Sequence, residues 1–283
     1  MTSGNSIFSG RVLICAFEGW NDAAESASQA AKLISESLKC QIAAEVDSED
    51  YYDFQFTRPS VSFNDSGDRE LEWPGTAFMI STDKDPNLSR FSVLVGTEPA
   101  RRWKSFTAEI LEMIEDREID AVIFLGGMLA DTPHTRPITV SATSQNERVR
   151  AEMNIERSSY EGPVGILSTV GIALEEIGVP TMALWAAVPH YVHNSPSPKA
   201  TLALLAELEK MLGLSFSQGD LAAQAFEWER GIDEIAENDD EMAGYIQQLE
   251  KNRDEFESEA ASGEAIAREL EKFLQAEEKP PES

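Results

Sequence analysis

Val12-Leu13-Ile14-Cys15-Ala16-Phe17 is an unbroken apolar run that stops at Glu18-Gly19-Trp20-Asn21-Asp22. It gives way to a small-residue pattern through Ala23, Ala24, Ala27, Ala30, Ala31, Ile34 and Leu38. A run that short does not span a membrane, and its lack of polar alternation suits a strand covered on both faces. The residues after it repeat at helical spacing, so the stretch predicts a buried strand, a tight turn and a helix. Asp22 stands where a helix N-cap would, and Glu25 three residues later would complete a capping box. Ligands of open α/β sheets collect at the carboxyl ends of strands, which makes the Glu18 to Asp22 turn the first place to look for function.

The same pattern recurs along the chain. Phe91 to Val95 is a strand with Gly96-Thr97-Glu98-Pro99 at its carboxyl end, followed by Trp103, Phe106, Ile110, Met113 and Ile114 at helical spacing. Ile119 to Leu125 is a buried strand stopped by Gly126-Gly127, a pair that permits a turn with close backbone approach. Gln41 to Val46, Thr76 to Ile80, Ile138 to Thr143 and Thr181 to Val188 are further strands. Helices are expected from Gly165 through Ile177 and over Ala200 to Leu212. The aromatic stretch Tyr51-Tyr52-Asp53-Phe54-Gln55-Phe56 packs in the core or covers a sheet edge, a cleft rim or a subunit interface. Residues 64–72 read as a polar turn and 144–159 as a polar segment. Strands alternating with helices predict an α/β domain with a mostly parallel sheet over residues 1–213.

From Leu221 onward a heptad-like spacing takes over, through Ala225, Trp228, Ile232, Ile235, Met242, Ile246, Leu249, Phe256 and Leu270, with largely acidic residues between. Residues 214–283 are therefore expected to form an acidic helical extension ending in a disordered tail. Breaks at Asn238-Asp239-Asp240 and Ala261-Ser262-Gly263 divide it into two or three helices. Its apolar stripe must fold back on the core or meet another subunit.

Charge excludes whole classes of function. The 283 residues hold 23 basic and 51 acidic side chains, a net charge of -28, and residues 214–283 carry half of that excess. Such a surface repels nucleic acid phosphates and anionic membranes, so neither is an expected partner. The first ten residues lack a basic segment followed by an apolar one, and the expected compartment is the cytoplasm. Cys15 and Cys40 belong to no metal-ligand or redox spacing and read as structural thiols.

Several segments together resemble the PAC2 (proteasome assembly chaperone 2) family, in its bacterial branch with an acidic helical C-terminal extension. They are Phe17-Glu18-Gly19-Trp20-Asn21-Asp22-Ala23, Tyr51-Tyr52-Asp53-Phe54 before Arg58-Pro59, and Gly126-Gly127 before Pro133-His134-Thr135-Arg136-Pro137. Gly162-Pro163 with Gly165-Ile166, and Pro189-His190-Tyr191 before Pro198-Lys199-Ala200, complete the set. The resemblance implies a three-layer α/β/α sandwich similar to the phosphorylase and hydrolase-like folds. It also implies kinship with chaperones that help proteasome α-subunits assemble without chemistry. A hydrophobic-Tyr-any docking tail found in some relatives is absent from the terminal Pro281-Glu282-Ser283.

If the sheet is parallel, four loops converge on one edge. They offer Glu18, Gly19, Trp20, Asn21, Asp22, Glu98, Gly126, Gly127, His134, Arg136 and His190 as a ligand or interaction cleft. Arg136 can bind a carboxylate or phosphate there, His134 or His190 can transfer protons, and Glu18 can orient one of them. Each also has a plainer role: Asp22 as a helix cap, Trp20 as a cover for the turn, His134 and Arg136 bonded to carbonyls or an intersubunit carboxylate, His190 as a satisfied buried imidazole. His193 has less claim than either of the other histidines. Ser168 and Thr169 stand before a helix, where they can cradle an anion or cap it. No short metal-ligand spacing, phosphate loop, dinucleotide fingerprint or nucleophile elbow is present, so no metal or cofactor is expected.

The favoured reading is a non-catalytic, self-associating protein of the PAC2 type that works through protein-protein interaction, as an assembly factor or scaffold. A homo-oligomer is expected, with a trimer slightly preferred on the family's habits; a proteasome link follows only from the resemblance. The alternative is an enzyme of phosphorylase, hydrolase or ligase type, or a sensor, acting on a small anionic metabolite in the strand-end cleft.

Overall fold

The computed structural model describes residues 6–277 apart from Asp65, His193 and Asn194, with side chains through Ser258. His193 and the tail from residue 278, expected to be disordered, lie outside the described residues. The chain opens with β1 (Val12–Glu18), α1 (Ser26–Ser37), β2 (Cys40–Val46) and the single turn α2 (Ser48–Tyr51). Two short strands, β3 (Ser60–Phe63) and β4 (Arg69–Glu72), pair with each other as a separate hairpin. Next come β5 (Thr76–Ser81), α3 (Pro86–Ser89), β6 (Phe91–Thr97), α4 (Trp103–Asp116), β7 (Ala121–Ala130) and β8 (Val140–Thr143). They are followed by α5 (Glu147–Met153), α6 (Ile166–Glu176), β9 (Thr181–Pro189), α7 (Pro198–Leu212), α8 (Leu221–Ala236) and α9 (Asp240–Glu277).

Seven strands form one sheet in the order β2-β5-β6-β1-β7-β9-β8. The central four are mutually parallel. The strands β5 and β8 run against them, and β2, antiparallel to β5, returns to the common direction. β1 is apolar throughout its buried length because its alternating side chains feed two cores. Val12, Ile14 and Ala16 enter one face with Ala27, Ala30, Ala31 and Ile34 of α1 and Ala200, Leu204, Leu205 and Leu208 of α7. Leu13, Cys15 and Phe17 enter the other with Phe106, Ile110 and Ile114 of α4 and Val170 and Leu174 of α6. The result is the three-layer α/β/α sandwich with a mostly parallel sheet. No helix among the described residues is long and apolar enough to cross a membrane.

The helix after β1 therefore lies on one face of the sheet and the helix after its neighbour β6 on the other. Chains leaving adjacent parallel strands in opposite directions open a crevice beyond the strands' carboxyl ends.

Several sequence expectations are corrected. Gly126-Gly127 does not stop β7, which continues to Ala130 with Gly126 opposite Trp185 of β9. Residues 60–72 are a hairpin, with Val61 facing Leu71 and Phe63 facing Arg69. The segment 144–159 contains α5, capped by the Asn146 carboxamide, which accepts from the amides of Arg148 and Val149. The break at Asn238 to Asp240 separates α8 from α9, but Ala261-Ser262-Gly263 lies within one continuous helix. No capping box forms at Glu25, whose carboxylate accepts from the Gln29 side chain instead.

Gly126 tests the packing of the sheet directly. A Cβ there would stand 2.4 Å from two ring carbons of Trp185. Gly126→Ala is expected to destabilise the protein by about 1–3 kcal/mol through overpacking, read as a lower urea midpoint with an unchanged slope.

Candidate functional site

The turn after β1 is built by close backbone approach. Gly19 adopts φ +118, a conformation L side chains rarely reach, and turns the chain away from Glu18. The Asn21 carbonyl then accepts from the Gly127 amide at 2.8 Å. A side chain at Gly127 would collide with Ser26 Oγ and the Ala23 backbone. Asp22 is buried, and its Oδ1 accepts from the amides of Ala27 and Ser28 at 2.7 and 3.2 Å, inside the first turn of α1. It thus caps the helix, although from four residues ahead of Ser26. Desolvation pushes its carboxyl above the usual value, while hydrogen bonds from Ser28 and Ala27 work against that rise. Trp20 in this turn is 60% exposed.

Glu98 belongs to the same cluster. Its amide donates to the Glu18 carbonyl at 2.9 Å, and its Oε1 accepts from the Ile166 amide at 2.9 Å. A carboxylate from the loop just after β6 therefore occupies the N-terminus of α6, the position where Ser168 and Thr169 were expected to cap or to cradle an anion. Glu18 itself is held by Lys32 Nζ at 2.8 Å and by the Thr97 hydroxyl at 3.4 Å.

His134, Arg136 and His190 gather instead where the acidic extension folds back on its own chain. The His134 ring is fully buried. Its Nδ1 lies 2.8 Å from the Tyr191 hydroxyl and its Nε2 3.0 Å from Asp233 Oδ1 of α8. Trp228 of α8 packs edge-on against it. Lys199 Nζ donates to the His134 carbonyl and pairs with Glu229 of α8. Arg136 forms a two-pronged bond with Asp254 of α9, at 2.9 and 2.8 Å, and a further bond to Glu250 at 3.1 Å. His190 pairs with Asp131 at 3.3 Å and packs edge-on against Tyr191 and Tyr245. Both ring nitrogens of His134 are engaged within the chain, on the Tyr191 hydroxyl and Asp233, and both prongs of Arg136 are held by Asp254. The missed signal is complementarity: the loop between Pro133 and Pro137 offers a cation to an extension rich in carboxylates.

A cleft of about 380 Å³ lies at the carboxyl ends of β1 and β6, lined by Glu18, Thr57, Arg58, Ser60, Glu72, Trp73 and Thr97 among others. Of the residues expected from sequence to form the cleft, only Glu18 lines it. The hairpin β3–β4 borders it through the paired residues Ser60 and Glu72. The pleat places Val61, Phe63 and Leu71 on the hairpin's opposite face, where they are 47%, 71% and 51% exposed. Among the described residues, no group of three or more His, Cys, Asp or Glu side chains is arranged to hold a metal.

A parallel-centred α/β/α sandwich, its strand-end loops clasped by its own helical extension, is the class of protein that this geometry defines. The PAC2 family model matches residues 16–236, and the chain belongs to that family. It is 40% identical to a PAC2 family protein of Streptomyces avermitilis, with a TM-score of 0.74 over 83% of this chain and 99% of that one. A proteasome-assembly chaperone homologue of Mycobacterium tuberculosis is also 40% identical, with a TM-score of 0.72 and the same coverage. The archaeal proteasome activator PbaB of Pyrococcus furiosus shares the fold, with a TM-score of 0.62, 17% identity, and coverage of 81% of this chain and 94% of its own. No curated protein matches the chain.

The clasp on α9 is testable through its charges. The hydrogen bond from Arg136 holds the Asp254 carboxyl below its ordinary value. The bond therefore contributes fully above the usual carboxylate range and is lost as pH falls through that depressed value. Arg136→Ala should raise thermolysin cleavage within residues 240–258 several-fold at neutral pH. At a pH low enough to protonate Asp254, an acid-active protease should no longer distinguish variant from wild type.

Proposed function

We propose that this protein is a non-catalytic, cytoplasmic assembly factor that acts through protein-protein contact, with self-association as part of that action. One observation carries the reading. The side chains best suited to chemistry at the sheet edge are bonded into the fold, whereas the apolar face of the β3–β4 hairpin stands open. Val61, Phe63 and Leu71 form an apolar strip on a two-stranded ribbon, and Phe56, a few residues ahead of it in sequence, is 86% exposed. Exposed apolar strips of that kind, rimmed by polar residues, suit docking to another protein. Similarity to a proteasome-assembly chaperone homologue supports proteasome subunits as the first partners to try.

Sedimentation velocity of the full chain, alone and with purified proteasome α-subunits, tests this. Because Phe63 and Leu71 are exposed, Phe63→Asp with Leu71→Asp should leave folding stability within about 0.5 kcal/mol per substitution. The pair should weaken the complex more than about tenfold, as loss of a central apolar anchor does. Complex formation by wild type and its loss in the variant are the expected results. No complex with α-subunits would reject the proteasome reading, and a monomer at every concentration would reject self-association.

A further inference from the structure

The cleft between the ends of β1 and β6 has the position of a ligand site in an open α/β sheet, and its chemistry differs from that expected of the loops. We infer that it binds a small amino-carboxylate zwitterion, a free α-amino acid or a dipeptide. The position comes from topology. β1 leads into α1 on one face of the sheet and β6 into α4 on the other, so Glu18 and Thr97 border a switch point. At about 380 Å³ the cleft is near the small end of the range for small-molecule sites.

Its charges select the ligand. Arg58 lines the cleft and makes no hydrogen bond or ion pair among the described residues. Pro59 restricts the backbone of Arg58 to extended conformations, which limits how the guanidinium can be presented. The anion clamp sought in Arg136 is thus available in Arg58, because Arg136 already holds Asp254 and Glu250. Two carboxylates share the cleft. Glu72 has a single long contact, 3.4 Å from the Ser60 hydroxyl, and Glu18 is held by Lys32 and Thr97. A simple anion such as phosphate would meet both acids, and a simple cation would meet Arg58 with Lys32 close behind Glu18. A molecule with a carboxylate for Arg58 and an ammonium for Glu72 satisfies both signs. Trp73, packed edge-on against Phe54, supplies an apolar wall for a side chain. This inference stands apart from the assembly reading, because the hairpin's apolar strip and its cleft-lining pair lie on opposite faces.

The experiment is a thermal-shift panel on the full chain with the free α-amino acids, dipeptides, an N-acetyl amino acid, an amino acid amide and inorganic phosphate, each at about 5 mM, followed by calorimetry of any hit. Arg58 and Glu72 are exposed, so Arg58→Gln and Glu72→Gln should melt like wild type in the absence of ligand. The expected result is saturable binding of an amino acid or dipeptide that falls at least about tenfold in either variant. The N-acetyl and amide compounds should bind about tenfold more weakly, since each lacks one charge. A preference between free amino acids and dipeptides identifies which source the cleft accepts. No saturable shift with any zwitterion overturns the inference. So does binding that survives both substitutions, or phosphate binding as tight as the best zwitterion.

Discussion

The way the chain leaves β1 governs the whole carboxyl edge of the sheet. Gly19 turns it, the Asn21 carbonyl fastens it to Gly127 of β7, and the Asp22 carboxylate fixes the first turn of α1. Between those points Ala24 and Glu25 both sit in the left-handed region, at φ 52 and 53. Such residues cost roughly 1–3 kcal/mol each and persist only where their surroundings hold them. Here the holding groups are the Asp22 cap and the contact with Gly127. The strained turn delivers α1 to one face while Glu98, just after the neighbouring strand β6, reaches the start of α6 on the other. The cleft lies beside that edge, walled by the hairpin's flanks, the segment leading into β5 and the end of β6.

The acidic extension is the second constraint. Leu221, Ala225 and Ile232 of α8 and Ile246 and Leu249 of α9 are buried on the chain's own body. The contacts that orient them are polar: the ion pairs of Lys199 with Glu229 and of Arg136 with Glu250 and Asp254, and the hydrogen bond between His134 and Asp233. Apolar burial holds the helices down and the ion pairs set their register, a division of labour expected when partly exposed pairs contribute little energy but much geometry. Other apolar residues of the extension, Phe226, Ile235 and Phe256, remain exposed, so the helical stripe is only partly satisfied within one chain.

The central strands and the helices between them were legible because burial on both faces and helical spacing leave a direct imprint on residue type. The hairpin was missed although its signal is present: Ser60-Val61-Ser62-Phe63 and Arg69-Glu70-Leu71-Glu72-Trp73 alternate with period two around Gly67. Polar content outweighed that alternation, since the hairpin's apolar face is exposed and resembles no core strand. The role of Asp22 as a cap was readable, but its displacement was not, because nothing in Ala24-Glu25 announces positive φ. His134 and Arg136 were legible as polar candidates in a proline-bounded loop, for a ligand or for hydrogen bonds to carbonyls or an intersubunit carboxylate. Their acidic partners in the extension lie 99 to 118 positions away in sequence, a separation that local pattern does not encode.

At the sheet edge, the loop carrying His134 and Arg136 holds the chain's own helical extension. Hydrogen exchange by mass spectrometry on the full chain tests that account most directly. If the loop around His134 and Arg136 is an anchor for the extension, amides in 131–136 and in α8 and α9 up to 258 should exchange slowly and together. The hairpin over 60–72, which stands outside the main sheet, should exchange much faster. Rapid exchange across 131–136 and α8, at the hairpin's rate, would contradict the account and return His134 and Arg136 to an open site.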